Sequence, residues 1–164
     1  MRRILASTAA ALLALGALTP AQAAGSIEVK WVEPDKFTDA GRSSYDREHA
    51  MKSIGDYIRS LATSLPEGQT LRLEVLDLDL AGEVRPFHGL GMQEVRVLRG
   101  RADWPHMKIR YTLSGAAGSV KSGEADLADM AYLQNPPSSD LRYGDLGYEK
   151  RMVQQWFKQT FVAH

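Results

Sequence analysis

The stretch Leu71–Leu80, LRLEVLDLDL, decides how the rest of this sequence is read. Leu71, Leu73 and Val75 alternate with Arg72 and Glu74, and Leu76, Leu78 and Leu80 alternate with Asp77 and Asp79. Successive side chains of a strand point to opposite faces, so each half reads as a strand with one apolar and one charged face. The phase slips by one residue at Val75–Leu76. Such a slip turns every later side chain to the other face. A β-bulge at that point absorbs the extra residue and keeps the apolar side chains together. The alternative is a strand whose two halves face different layers. With the bulge, the stretch becomes the central strand of one small domain.

Upstream, Ser26–Val32 alternates Ile27, Val29 and Trp31 against Glu28 and Lys30, a strand that Pro34 ends because proline donates no ladder bond. Ser43 and Ser44 supply N-cap hydroxyls for a helix with Asp46 and Glu48 in its first turn. Met51, Ile54, Ile58, Leu61 and Leu65 then form one apolar stripe, which Pro66-Glu67-Gly68 stops. Strand, helix and strand in that order predict a crossover with the two strands parallel, adjacent or not.

Downstream, Ala81–Met92 reads as a long loop with Gly82, Pro86, Gly89 and Gly91. Gln93–Leu98 is a short strand with Val95 and Val97 inward, and Arg99–Pro105 is a bend. His106–Ser114 places Met107, Ile109, Tyr111 and Leu113 on one face of a strand, and a turn at 115–118 returns the chain as a weaker edge strand, Ser119–Leu127. After the loop Asn135–Asp140, residues 146–162 form a second helix capped by Asp145, with Met152, Val153, Trp156 and Phe157 as its apolar face. The expected fold is α+β: a single antiparallel-dominated sheet of four to five strands, in the order β-α-β-β-β-β-α, with both helices on its apolar face.

The chain opens with a different kind of segment. Met1-Arg2-Arg3 is positive, Ile4–Leu18 is apolar, and Ala21-Gln22-Ala23 offers a small-residue cleavage site. This is the pattern of a secretory signal peptide over residues 1–23, with a single domain over 24–164. The apolar run is short for a membrane span and no positive stop-transfer flank follows it, so no transmembrane anchor is expected after cleavage. The full chain has 20 basic and 20 acidic residues. Without Arg2 and Arg3 the balance is 18 against 20, a net of −2. Domains built to hold nucleic acid carry a basic excess, so no nucleic-acid partner is expected. With no cysteine, the chain has no disulfide, thiol chemistry or zinc-thiolate site.

Several motif words resemble a known family. They are Trp31-Val32-Glu33-Pro34, Asp39-Ala40-Gly41-Arg42, Asp77–Glu83 (DLDLAGE), Val97–Pro105 (VLRGRADWP), Arg110-Tyr111, Tyr148–Met152 (YEKRM) and Trp156-Phe157. The chain is similar across nearly all of its mature length to an exported bacterial family catalogued as domain of unknown function 3016. The resemblance implies a bacterial, periplasmic protein and carries no activity with it.

Two groups of residues offer chemistry. Asp77 and Asp79 share a strand face, ~7 Å apart along the backbone, and Glu83 follows them. The three could hold a hard cation or serve a carboxylate- or metal-dependent hydrolase. Against this, the calcium-loop pattern fails at its later positions, with His88 where a glutamate is required. The plainer reading is a solvated face paired with basic neighbours. The second group is a basic island, Arg96, Arg99, Arg101, Lys108 and Arg110, interrupted by Glu94 and Asp103. Within it, Arg99 and Arg101 flank Gly100 in the bend, where their guanidiniums could converge on one anion, with Asp103 orienting one of them and Trp104 as a flat wall. The plainer reading is again charge pairing, with Glu74, Asp77 and Asp79 on neighbouring strands.

The remaining signals are weaker. His49, His88, His106 and His164 lack metal-ligand spacing. Ser43, Ser44 and Ser64 lack a nucleophile-elbow setting, and Gly89-Leu90-Gly91 is too short for a phosphate loop. Trp31 and Trp156 fall at core-facing positions. No cofactor is expected. The sequence reads as a soluble, non-catalytic periplasmic binding or interaction module whose partner is an anionic envelope component or an envelope protein. The candidate ligand-binding residues are Arg99, Arg101, Asp103 and Trp104.

Overall fold

The computed structural model describes residues 25–89, 91–115, 118, 120–142 and 145–162, so the expected signal segment, and His164, lie outside the described residues. The chain runs β1 (Ser26–Trp31), α1 (Ser44–Ser60), β2 (Thr70–Asp79), β3 (Glu83–Gly89), β4 (Gly91–Val97), β5 (His106–Ser114), β6 (Val120–Ala128), α2 (Ser139–Arg142) and α3 (Gly147–Phe157).

β2 is central, as its alternation predicts. The main sheet is four-stranded in the order β1-β2-β5-β6. β1 lies parallel and directly beside β2, while β2–β5 and β5–β6 are antiparallel. The register steps from Val75↔Ile109 to Asp77↔Lys108, so Leu76 is the bulged residue. The bulge restores the phase: Leu71, Leu73 and Val75 before it, and Leu78 and Leu80 after it, are all buried. Leu76 itself is half-buried.

The bulge also marks where the edge strand departs. Val32 donates its N–H to the Val75 carbonyl at 2.9 Å, and the chain then leaves through a 3-10 turn at Pro34–Lys36. It returns at Asp39, whose N–H donates to the Leu78 carbonyl at 3.0 Å and whose carbonyl accepts from Leu80 N–H at 2.8 Å.

α1 begins with a capping box. The Ser43 hydroxyl accepts from the Asp46 N–H at 3.0 Å, and the Asp46 carboxylate accepts from the Ser43 N–H at 3.2 Å. From its stripe Ile54 and Ile58 are fully buried, and Leu65 is buried beyond the helix end. α3 contributes Met152, Val153 and Phe157, and a π-helical turn at Lys158–Val162 adds Phe161. These side chains, the inner face of β2 and β5, and Leu127 of β6 form one core. Trp31 and Trp156 are half-buried against it. The charged residues Arg72, Glu74 and Arg110 fall on the opposite face, so one side of the sheet is packed and the other is wet.

Three expectations are corrected. The sheet is not single: β3 and β4 pair only with each other in a separate two-stranded sheet, while the four-stranded sheet is mixed, with β1 and β2 parallel as the strand–helix–strand order predicts. Residues 83–89 therefore form a strand where a loop was expected. The reason is that β3 carries no period-2 alternation, its apolar residues Val84 and Phe87 standing three apart. Among the described side chains of the hairpin, Glu83, Arg85, Pro86, Glu94 and Val95 are exposed, and Val84, Arg96 and Val97 are half-buried. Val95 accordingly points outward, not inward, at 40% exposure. Finally, Asp145 does not cap α3. The N-cap is Leu146, in the left-handed region at φ 55°, while the Asp145 carboxylate accepts from the Ser53 hydroxyl at 2.7 Å and Lys150 Nζ at 3.2 Å.

Candidate functional site

The bulge turns Asp77 and Asp79 away from the core, and each meets a different neighbour. Asp77 accepts from Thr38 twice, from the backbone N–H at 2.8 Å and from the hydroxyl at 2.7 Å, and so pins the returning edge segment. Asp79 is half-buried. Burial, followed by the nearby charges of Asp39 and Asp77, pushes its carboxyl above the usual range. Glu83 is exposed and accepts from Arg85 Nη2 at 2.6 Å; that bond holds its carboxyl below the usual range. The three carboxylates therefore do not assemble into a ligand set. Among the described residues no group of three or more potential ligands surrounds a metal-sized space. Their separate partners follow from the bulge and the hairpin, which send Asp77 to the edge segment and Glu83 into β3.

The basic island divides into paired and unpaired parts. Arg110 donates to Glu74 at 3.1 Å and to Glu124 at 2.9 Å, and Lys30 donates to Glu74 at 3.0 Å, so one charge ladder crosses the outer face of all four strands. Arg96 is a strut. Its guanidinium donates to both oxygens of Asp39, at 2.9 and 3.3 Å, and lies 3.1–3.4 Å from the carbonyls of Leu80, Ala81 and Gly82. Arg99 and Arg101 are exposed and make no ion pair among the described residues, although Arg99 lies close enough to lower the Glu83 carboxyl further.

The bend that carries them is held from inside. Asp103 accepts from Arg99 N–H at 2.6 Å, Arg101 N–H at 2.8 Å and the Tyr132 hydroxyl at 3.0 Å. Burial pushes the Asp103 carboxyl up, but these three donors outweigh it and hold it below the usual range. Gly100 takes φ +66°, and a Cβ there would sit 2.8 Å from the Leu133 side chain, so the position suits only glycine. Tyr132 is fully buried and its hydroxyl also accepts the Gly100 N–H at 3.2 Å. Asp103 thus shapes the backbone of the bend, where the sequence suggested that it orients a guanidinium. Trp104 is half-buried in the same bend.

One group was missed. A cleft of about 310 Å³ opens between the end of β4 and the start of α3. Glu149 lines it, although only 2% of the residue is exposed. Its Oε1 accepts the Ala81 N–H at 2.8 Å, and burial pushes its carboxyl above the usual range. A signal for it does exist in the sequence. Met152, Val153 and Trp156 stand three, four and seven residues after Glu149, so this acid lies on the helix's apolar stripe. His88, also considered, has its side chain outside the described residues. His106 pairs with Asp126 across the β5–β6 ladder.

These features define a small α+β domain: a four-stranded mixed sheet backed by two long helices on one face, with an added hairpin, a braced arginine bend and a cleft with a buried acid. Residues 25–159 match the family described as Protein of unknown function (DUF3016), and the chain belongs to that family. No curated protein matches the chain. Among the described residues, no helix is long and apolar enough to cross a membrane.

Proposed function

We propose that this protein is an exported, non-catalytic binding module of the cell envelope that docks an anionic group on the Arg99–Pro105 bend. The observation that carries this reading is the division of the basic island. Arg96 and Arg110 are tied into the fold, whereas Arg99 and Arg101 are exposed, with no ion pair among the described residues, on a backbone clamped by Asp103 and Tyr132. A guanidinium with free donors on a fixed backbone is suited to phosphate or carboxylate, because little ordering entropy is lost on binding.

The test is sedimentation with phospholipid vesicles. Wild-type protein is expected to bind vesicles rich in anionic phosphatidylglycerol at low ionic strength, to leave them as salt is raised, and to ignore phosphatidylcholine. Arg99→Ala with Arg101→Ala should abolish binding while shifting stability by less than about 1 kcal/mol, since exposed charges contribute little to folding. Wild-type protein that stays in the supernatant at low salt, and binds no inorganic phosphate, would end the reading.

Export rests on the positive start, apolar run and A-x-A site of residues 1–23. Intact-mass measurement on protein from the periplasm should give a chain beginning at Ala24. A membrane-retained chain beginning at Met1 would sink it.

A further inference from the structure

We propose that the cleft between β4 and α3 is a binding site for a small primary amine with a compact apolar body, its ammonium held by the Glu149 carboxylate. The lining of the cleft includes no residue of the anion-docking bend.

Leu98 of the β4 end, Pro137 and Leu141 of the preceding loop and α2, and Leu146 make its walls largely apolar. Its size is in the range that takes a small molecule. Leu146 is a non-glycine residue with φ 55° and ψ 38°, a conformation uncommon for a branched side chain, and it stands at the cleft wall.

Among the described residues, the charged groups there are few, and the two cations are already engaged. Arg96 is saturated by Asp39 and the backbone carbonyls around it. Lys150, the other cation facing Glu149, is paired with Asp145 at 3.2 Å. The Glu149 carboxylate accepts the Ala81 N–H on Oε1 and its own backbone N–H, both neutral donors, and among the described residues no cationic side chain is hydrogen-bonded to it. A nearly buried carboxyl without a cation of its own is an unbalanced group, and a ligand that brings a positive charge balances it.

Tyr148 fixes the class further. Its ring lines the same cleft, held edge-to-face by Tyr132 at a centroid distance of 5.0 Å. A carboxylate beside an aromatic ring in an apolar recess holds an ammonium by ion pairing and by attraction to the ring face. An anionic head would meet the carboxylate, and a neutral body alone would leave it desolvated and unpaired.

Burial favours the neutral form of Glu149 and a bound ammonium favours the ionised form, so amine binding is coupled to loss of the Glu149 proton. Amine affinity is therefore expected to fall as pH drops below the raised value of Glu149, with a proton released on binding. Among the described residues, Arg96 and Lys150 are the charged groups that face it.

The experiment is titration calorimetry of the mature chain with 2-phenylethylamine and with 2-phenylethanol, its uncharged counterpart, in two buffers of different ionisation enthalpy. Saturable binding of the amine, at least about tenfold tighter than the alcohol, with buffer-dependent heat, is expected. Glu149→Gln keeps the acceptor for Ala81 N–H and should lose that discrimination and the proton release. Leu98→Trp narrows the mouth, leaves Glu149 in place and should weaken both ligands. No saturable amine binding by a wild-type protein that melts cooperatively, or equal binding by Glu149→Gln, would overturn the proposal.

Discussion

Arg151→Ala is expected to lower the free energy of unfolding by about 3–5 kcal/mol, because it leaves a nearly buried carboxylate without its cation. Arg151 sits on α3 with its side chain 10% exposed, and it donates to Asp129, whose side chain is 11% exposed. Asp129 follows β6 directly, and its N–H donates to the Pro105 carbonyl at 3.2 Å. The pair therefore joins α3 to the end of the sheet beside the bend. Arg151 Nε is buried with no hydrogen-bond partner among the described residues, so the guanidinium is not fully compensated. That makes a second expectation of the same series informative. Arg151→Met combined with Asp129→Leu should recover most of the loss, since an apolar pair of similar volume removes both desolvation penalties. Urea melts decide it: a loss below about 1 kcal/mol for Arg151→Ala is what a solvated surface pair would give.

Ile58→Ala is expected to cost about 2–5 kcal/mol, the range for truncating a large aliphatic side chain in a packed core. Ile58 is 1% exposed, and Ile54, one turn earlier, is 0% exposed. Alanine is the best helix former, so α1 keeps its local preference and the loss reports packing alone. Far-UV circular dichroism should be unchanged while the urea midpoint falls. Tyr45→Ala, at a residue 75% exposed on the same helix, is the control and should change stability by less than about 0.5 kcal/mol. A comparable effect from both variants would mean that the apolar stripe does not face the sheet.

The arginine bend and the cleft share one structural origin. Tyr132 braces both, through its hydroxyl to Asp103 and Gly100 and through its ring to Tyr148. Gly82 N–H donates to the Asp103 carbonyl at 2.8 Å, and Ala81 N–H donates to Glu149. The tight turn after β2 is thus tied on one side to the bend and on the other to α3. These contacts join motif words that are far apart in the chain: DLDLAGE, VLRGRADWP and YEKRM. The three words meet around one turn, through the backbone of Ala81 and Gly82.

Elements whose signal is periodic and local were legible in the residues alone. The alternation of Leu71–Leu80 with its slip identified β2 and its bulge, because one extra residue must be absorbed if one face is to stay buried. The stripe from Met51 to Leu65 identified α1, and Ser43 with Asp46 identified its start. The alternation of β5 and the weaker pattern of edge strand β6 were legible for the same reason. Only the tertiary structure decided features in which a polar group is satisfied from far away. In β3 the apolar residues Val84 and Phe87 stand three apart, so this strand of the hairpin leaves no alternation to read. Asp145 looked like a cap, but a hydroxyl on another helix, Ser53, takes its carboxylate. Glu149 stood in plain view on an apolar stripe. Its meaning depended on an N–H that the fold brings from Ala81, 68 residues away in the chain, and on walls that come together only when α3 closes against the end of β4.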